Sequence, residues 1–278
     1  EKAKGVIASS AGNHAQGVAL AAQRSNIPSV ICMPDGAPIS KVEATKAYGA
    51  QVCLVKGAYD DAYDYACKLQ KEKGYTFIHP FNDAEVIAGQ GTVGLEILDQ
   101  LPDVEVVLVP VGGGGLISGV AYAIKHLHPE CKVYGVQAAG APSMRDSVQK
   151  HEAITLDGVA TFADGIQVKT PGELTYQLCE EYVDDIVTVS EDETAAAILR
   201  SRVVSQRRTE KELITEFSYC QPIVFIWLTI ILKRYRLSSM AYSVSWYHYV
   251  LSFLFPRASN NLTSSTQTRS AVFHPERK

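Results

Sequence analysis

The sequence predicts an α/β protein with two lobes, each built on a parallel β-sheet. Short apolar runs alternate with longer helical stretches from Gly5 onward, a pattern typical of parallel strands joined by crossover helices. The alternation breaks near residues 81–84 and then resumes. We therefore expect a small lobe over residues 5–82, a partial larger lobe over residues 83–200, and a cleft between them.

Each element of the first lobe is marked by its residue pattern. Four apolar runs predict the strands: GVIAS, SVICMP, QVCLVKG and YTFIHP. Helices are expected between them at about residues 13–25 and in the segments SKVEATKAYG and DDAYDYACKLQKEKG. Because a helix follows each of the first three strands, neighbouring strands should run parallel.

The second lobe repeats the alternation. A helix in AEVIAGQGTVGLEILDQL precedes the run VEVVLVPV, whose nearly continuous apolar character predicts a strand buried on both faces. Four glycines, Gly112 to Gly115, then lead into the predicted helix LISGVAYAIKHL and the strand KVYGVQ. The strand DIVTVS and a helix that opens at EDETAAAI are expected to end the series.

Composition and charge narrow the possible partners. The chain has 278 residues, of which 46% are hydrophobic, and this is enough for a sizeable core. A net charge of -4 argues against a nucleic-acid partner, so a small molecule is expected instead. The apolar run IVFIWLTIIL is well short of the roughly 20 residues that span a bilayer, so no membrane partner is expected. The six cysteines show neither a CxxC pair nor metal-ligand spacing, which predicts reduced thiols in a cytoplasmic protein. The first residues do not resemble a signal peptide.

Residues 201–278 differ in character from the rest. Residues 1–200 carry 15 Lys and Arg against 26 Asp and Glu, whereas residues 201–278 carry 11 against 4, so the net charge reverses from -11 to +7. No glycine follows Gly172, although strand-turn-helix connections usually need glycine. We predict that residues 201–278 form an atypical tail outside the α/β fold.

The four-glycine loop predicts a phosphate site. Glycine lets a ligand approach the backbone closely, and the start of the following helix offers free N–H groups and a positive dipole end. A tight strand-to-helix turn is the simpler alternative, but one or two glycines would serve it. A dinucleotide fingerprint would need glycine at position 117, where the chain has Ile117. A phosphorylated cofactor without a nucleotide motif is therefore expected.

A second strand-to-helix junction, in IASSAGNHAQG, predicts an anion site. Ser10, Asn13 and His14, with the first-turn N–H groups, could bind a carboxylate. The simpler alternative is an ordinary helix cap by Ser10 or Asn13. Phosphate and carboxylate sites in different lobes would face each other across the cleft.

These motifs together resemble one enzyme family. SAGNHAQG and PVGGGGLISG, with HPFNDAEVIAGQGT and ADGIQVKTPGELT, are similar to the fold-type II pyridoxal-phosphate enzymes, which share a fold of the tryptophan synthase β type. Within that family the chain resembles the threonine dehydratase, serine dehydratase and serine racemase group over residues 5–200. The resemblance implies deamination of L-threonine, and of L-serine, to 2-oxobutanoate or pyruvate and ammonia by a homo-oligomeric enzyme.

The resemblance also implies roles for individual residues. Asn13 would bind the pyridine 3'-oxygen of pyridoxal 5'-phosphate. The loop at the end of the first strand would bind the substrate carboxylate, and the glycine loop would hold the cofactor phosphate. The substrate-binding residues implied in this way are Ser10, Ala11, Asn13 and His14, and the phosphate-binding residues are Gly112, Gly113, Gly114, Gly115 and Leu116.

Departures from the family pattern sharpen the expected chemistry. Racemases of this group carry a proton-transferring serine where this chain has Ala11, so elimination is favoured over racemisation. Metal-binding members carry carboxylates where Gln137 and Ser143 stand here, so no metal site is expected.

The Schiff-base lysine of the family lies in an SFKxRGA-like segment upstream of the loop around Ser10, Asn13 and His14, here called the serine loop. The printed chain has no match for it, and Lys41 and Lys46 lie on a predicted helix. The resemblance therefore assigns no catalytic residue within the printed chain, which is expected to be inactive by itself. The remaining alternatives are a serine racemase, another β-eliminating enzyme, or a non-catalytic remnant that binds phosphate ligands.

Overall fold

The computed structural model describes residues 4–206, and the side chains of residues 4–199. Strands and helices alternate along most of this part of the chain. The strands are β1 (Val6–Ser9), β2 (Ser29–Pro34), β3 (Gln51–Val55), β4 (Thr76–Phe77), β5 (Val106–Pro110), β6 (Lys132–Ala138) and β7 (Asp185–Val189). The helices are α1 (Asn13–Arg24), α2 (Ile39–Ala47), α3 (Tyr59–Lys73), α4 (Ala84–Gln100), α5 (Gly115–Leu127), α6 (Ser143–Lys150), α7 (Glu173–Tyr182) and α8 (Glu191–Gln206).

The strands form two sheets in which every pairing is parallel. The first sheet has the strand order β3-β2-β1-β4, and the second has the order β5-β6-β7. The predicted α/β fold with parallel sheets is therefore confirmed. Since parallel strands all end at the same edge of a sheet, the loops that follow β1 and β4 leave the same edge of the first sheet.

The structure differs from the sequence prediction at the end of the first sheet. The expected strand YTFIHP is paired only at Thr76 and Phe77, and one further bond joins the Ile78 amide to the Ile7 carbonyl at 2.8 Å. Pro80 has no N–H to continue the ladder. The chain bends at residues 80–82 instead.

Two helices between β6 and β7 were not predicted from the sequence. They are α6 and α7, and a short 3-10 helix, Asp164–Ile166, lies between them. The start of α7 carries a usable signal, because a Pro-Gly pair is followed directly by Glu173 at the first helical position.

The first sheet is covered on both faces. Ile7 and Val30 pack with residues of α3, whereas Ala8 and Ile31 pack with residues of α1. Neighbouring residues of a strand point to opposite faces, so one strand contributes to both apolar clusters. This two-sided burial explains why the strand sequences are apolar at almost every position.

Helices α4 and α5 approach each other at glycines. A Cβ atom on Gly119 would lie 2.3 Å from the carbonyl oxygen of Ile87 and 2.6 Å from the amide nitrogen of Gly91. On the facing helix, a Cβ on Gly94 would lie 3.0 Å from the Val120 carbonyl oxygen. The backbones themselves are in contact here, and this contact places the start of α5 against the start of α4.

Residues 207–278 lie outside the described part of the chain, so the predicted atypical tail is described only at residues 201–206, which complete α8. None of the helices within residues 4–206 has both the length and the apolar character of a membrane-spanning segment.

We predict that Gly119→Ala destabilises the fold, because the added methyl group meets the backbone of α4. The expected loss in the free energy of unfolding is about 1–3 kcal/mol. Gly89→Ala is the matched control: it lies on α4 with nothing within 4 Å of the added Cβ, and it should raise stability by about 0.5–1 kcal/mol. Urea unfolding followed by circular dichroism measures both, and equal effects of the two substitutions would contradict the backbone contact.

Candidate active site

The loop between β1 and α1 leaves helix N–H groups without a side-chain acceptor. Gly12 occupies the N-cap position of α1, no side chain caps the helix, and Asn13 is its first residue and is exposed. The Ser10 hydroxyl accepts from the Gly12 amide at 3.2 Å, which shapes the loop before the helix begins. The simpler alternative of an ordinary cap by Ser10 or Asn13 is therefore not what the structure shows. The first-turn amides of α1 are available to an anion.

The ring of His14 points into the protein. Its Nε2 lies 2.9 Å from the Ile78 carbonyl oxygen. A carbonyl can only accept, so Nε2 carries the proton and donates. Burial lowers the pKa of His14, although the bond to Ile78 acts in the opposite direction. A neutral ring in this tautomer has an unprotonated Nδ1, which cannot donate a hydrogen bond to a carboxylate.

The four-glycine loop, Gly112 to Gly115, joins β5 to α5. Gly114 is the N-cap of α5 and has a φ of 97°, in the left-handed region that favours glycine, and no side chain caps this helix. The amides of the first helical turn have no acceptor within the helix by geometry. This loop therefore combines a backbone without side chains with the positive end of a helix dipole, two features of a phosphate site.

The glycines of this loop also have protein neighbours that exclude a side chain. A Cβ on Gly113 would lie 2.4 Å from the Phe81 ring, and a Cβ on Gly115 would lie 2.9 Å from the Phe81 Cα. Packing against Phe81 thus requires glycine at these two positions independently of any ligand. The glycine run is therefore explained in part by this protein contact.

Residues 79–83 form a turn, here called the HPFND turn, that sequence reasoning did not assign to the site. The His79 Nδ1 atom accepts from the amides of Phe81 at 3.2 Å and Asn82 at 2.8 Å. Asp83 caps α4 by accepting from the amides of Glu85 and Val86. The motif HPFND carried a signal for this turn: a proline that ends the strand, followed by an acidic residue before a helix.

Asn82 joins the HPFND turn to the start of α7. Its Oδ1 atom accepts from the Leu174 amide at 2.9 Å, so Asn82 caps a helix that begins about ninety residues later in the chain. Thr175, on the first turn of α7, donates from Oγ1 to the Gly113 carbonyl at 2.6 Å. The starts of α4, α5 and α7 therefore meet at the HPFND turn.

The two predicted loops are connected through this turn. His14 of the serine loop bonds to Ile78, His79 follows and holds Phe81, and Phe81 packs against the glycine loop. The chain of contacts runs from the end of β1 to the start of α5.

Lys41 and Lys46 are both engaged in ion pairs. Lys41 Nζ lies 2.6 Å from Asp164 Oδ2, and Lys46 Nζ lies 2.9 Å from Glu43 Oε1. The first pair joins α2, next to the first sheet, to the 3-10 helix that precedes α7. Asp164 is 63% exposed, so this pair contributes little to stability by itself.

Gln137 and Ser143 each have a protein partner. The Gln137 side-chain oxygen accepts from the Arg145 amide at 3.0 Å, and the Ser143 hydroxyl donates to the Val168 carbonyl at 2.8 Å. Within residues 4–206, no group of three or more His, Cys, Asp or Glu side chains is placed to hold a metal ion.

Comparison with known proteins identifies the class of enzyme. The family model described as pyridoxal-phosphate dependent enzyme matches residues 1–202, and the chain belongs to this family. An L-threonine ammonia-lyase from Thermotoga maritima is 57% identical over 199 residues, which cover 72% of this chain and 50% of the relative. The resemblance to the threonine dehydratase group, drawn from the motifs, is confirmed.

Solved structures agree with this grouping. A threonine deaminase from the organism abbreviated T.th. superposes with a TM-score of 0.75 at 38% identity, covering 85% of this chain and 75% of that one. Maize serine racemase gives a TM-score of 0.74 at 34% identity, covering 86% of this chain and 69% of that one. The fold is that of the fold-type II enzymes, and the cofactor of the family is pyridoxal phosphate. The chain spans about half the length of the first curated relatives it matches.

The residues at the two loops fit this cofactor. The start of α5 is not capped by a side chain, and the left-handed Gly114 with its glycine neighbours presents backbone rather than side chains. The start of α1 is likewise uncapped and suits a carboxylate.

We predict that Asn82→Ala weakens the junction, because it leaves the Leu174 amide at the start of α7 without its acceptor. The free energy of unfolding should fall by about 0.5–2 kcal/mol. Asn82→Asp keeps the oxygen acceptor and places a negative charge at a helix start, so it should retain the stability. Urea unfolding at pH 7 tests the pair, and an alanine variant as stable as the aspartate variant would show that the bond to Leu174 does not matter.

Proposed function

We propose that residues 5–200 are the cofactor-binding part of an enzyme that deaminates L-threonine, and L-serine, to 2-oxobutanoate or pyruvate and ammonia. The observation that carries the proposal is the 57% identity to an L-threonine ammonia-lyase over 199 residues, together with the family match over residues 1–202, which include both candidate loops. Two lobes, residues 5–82 and 83–200, are proposed to contribute one loop each.

The glycine loop is proposed to hold the cofactor phosphate. The first-turn amides of α5 and the backbone of Gly112 to Gly115, with Leu116, would donate to the phosphate oxygens. A helix start favours a dianion because its N–H groups and dipole both point toward the ligand. Phe81 would keep this loop in position from the protein side.

The serine loop is proposed to hold the substrate carboxylate. The uncapped amides at the start of α1, which begins at Asn13, would donate to it, and the Asn13 side chain would reach the pyridine 3'-oxygen. Because the His14 ring already donates to Ile78, the proposed contribution of His14 is its backbone N–H rather than its ring. Ser10 shapes the loop through its bond to the Gly12 amide.

Bound pyridoxal phosphate supplies an electron sink for the pair left at the α-carbon when the α-proton departs. The residues of this chain orient the ligand at its two charged ends, so that the groups on the α-carbon are fixed relative to the ring. Ala11 lies within the serine loop, half-buried against the core of the first sheet. A methyl group cannot deliver a proton to the second face, so loss of the β-hydroxyl is favoured over racemisation.

Serine racemase is the second candidate. The superposition on the maize enzyme, with a TM-score of 0.74, favours it over other β-eliminating enzymes. Ala11 argues against it.

A segment exchange separates the proposals. The 199 residues that match the Thermotoga maritima L-threonine ammonia-lyase replace the corresponding segment of that enzyme, and 2-oxobutanoate formation from L-threonine is measured. We expect kcat/KM within about tenfold of the parent, which corresponds to a barrier change of about 1.4 kcal/mol. A chimera that retains the cofactor but forms no 2-oxobutanoate would overturn the proposal.

The same chimera tests the role of Ala11. D-serine formation from L-serine should stay far below pyruvate formation, and Ala11→Ser is the matched variant in which a proton donor is restored at the second face. Rapid D-serine formation without that substitution would favour the racemase. A folded chimera that does not retain pyridoxal phosphate, seen as loss of its absorbance after desalting, would favour the non-catalytic remnant.

A further inference from the structure

His79 occupies a position that the proposed reaction does not use. It follows the last paired residues of the first sheet and lies between the two candidate loops. Its Nδ1 atom accepts two backbone hydrogen bonds, from Phe81 at 3.2 Å and from Asn82 at 2.8 Å. A ring nitrogen that accepts must be unprotonated, whereas both nitrogens of an imidazolium donate. The observed turn therefore requires neutral His79 with the proton on Nε2.

The two residues that His79 holds are those that touch the glycine loop and α7. The Phe81 ring covers Gly113, and the Phe81 backbone covers Gly115. Asn82 caps α7 at Leu174. Pro80, between His79 and Phe81, has no N–H of its own to stabilise the turn. The Nδ1 acceptor of His79 thus sets the position of Phe81, which packs against the glycine loop.

Burial of His79 opposes a positive charge on its ring. Its ring packs perpendicular to Phe81 with centroids 4.8 Å apart, and Tyr63 of α3 and Phe77 of β4 lie at 6.2 Å and 6.3 Å. Burial lowers the pKa of His79, the nearby His14 of α1 lowers it further, and Asp83 raises it. Burial raises the pKa of Tyr63, so this phenol is neutral where His79 titrates.

We propose that His79 is a positioning residue: its unprotonated Nδ1 holds Phe81 and Asn82, and through them the glycine loop, in the geometry that binds the cofactor phosphate. This inference rests on the proposed function of the glycine loop. Protonation of His79 removes the acceptor, releases the turn and weakens phosphate binding.

The direction of the pH effect follows from the lowered pKa. A histidine that is harder to protonate in the folded state stabilises the fold fully above its usual pKa of 6.5. That stabilisation is lost as the pH falls from 6.5 to the folded-state pKa, because the unfolded chain binds the proton first. The pKa of His14 is shifted the same way, so a variant at position 79 is needed to isolate the effect.

Two substitutions separate the acceptor from the rest of the side chain. His79→Asn keeps an acceptor, since an asparagine oxygen bonds backbone amides two and three residues onward in an Asx turn, and it does not titrate. His79→Leu removes the acceptor. His126→Asn is the control on α5: among the described contacts, this exposed ring has a hydrogen bond to the Tyr122 carbonyl and ring contacts with Tyr122 and Tyr182, none of which belongs to the HPFND turn.

The probe is N-(5'-phosphopyridoxyl)-L-threonine, a stable compound that carries both the phosphate and the carboxylate and needs no covalent bond to the protein. Its dissociation constant for the 278-residue chain is measured by fluorescence at about pH 8 and about pH 5.5, on either side of the ordinary histidine pKa. Amide hydrogen exchange of residues 79–83 is followed under the same conditions. Phosphate titration of the probe affects all variants equally and cancels between them.

We expect His79→Leu to weaken probe binding by about tenfold or more at the higher pH and to accelerate exchange at Phe81 and Asn82, because both amides lose their acceptor and the turn is no longer held. The His79→Asn variant should bind about as tightly as the unsubstituted chain at the higher pH and lose less affinity at the lower one. The His126→Asn control should match the unsubstituted chain at both pH values.

Three results would decide against these expectations. Unchanged binding and exchange in His79→Leu would overturn the positioning role while leaving the phosphate site intact. If His79→Leu does not fold, the His79→Asn variant decides alone, since a pH dependence identical to that of the unsubstituted chain overturns the role. Failure of the unsubstituted chain to bind the probe at either pH would instead overturn the proposed function.

Discussion

The contact between Phe81 and the glycines Gly113 and Gly115 joins the two parallel sheets at their carboxyl ends. Neither glycine accepts a Cβ without meeting Phe81, so the contact depends on backbone lying directly against an aromatic residue. The HPFND turn sets the position of Phe81 through the His79 acceptor. Because an interior packs at near-crystalline density, a shift of this turn must be transmitted to the glycine loop.

Helix starts are the recurring chemical element of the site. Four helices, α1, α4, α5 and α7, begin around it, and they differ in whether a side chain accepts from their first-turn amides. A side-chain oxygen of Asp83 accepts from a first-turn amide of α4, and a side-chain oxygen of Asn82 accepts from a first-turn amide of α7. The other two, α1 and α5, have glycine N-caps and no side-chain cap. Those two helices belong to the loops that the motifs assign to carboxylate and phosphate, so the amides left without a cap coincide with the proposed ligands.

The backbone contact between α4 and α5 also fixes the positions of these helix starts. Gly119 lies against the carbonyl of Ile87, which places the start of α5 beside the helix that the HPFND turn begins. The Lys41–Asp164 ion pair adds a second, exposed link between α2 and the segment before α7. This ion pair adds little to the stability, since an exposed ion pair contributes at most about 1 kcal/mol.

Local sequence patterns were enough to predict the fold class and most element positions, because these depend on periodicity and on glycine or polar residues at strand ends. They were also enough to identify the family, since SAGNHAQG and PVGGGGLISG are long and specific motifs. The carboxylate and phosphate roles of the two loops stay predictions. The parts played by His79, Asn82 and the His14 ring emerged only from the folded chain. Hydrogen bonds such as Asn82 with Leu174 and His14 with Ile78 join segments far apart in sequence, and no local pattern encodes a partner at that distance. Helix α6 was missed because its eight residues are too few for a periodic pattern to identify, and α7 was missed although its Pro-Gly start was a usable signal.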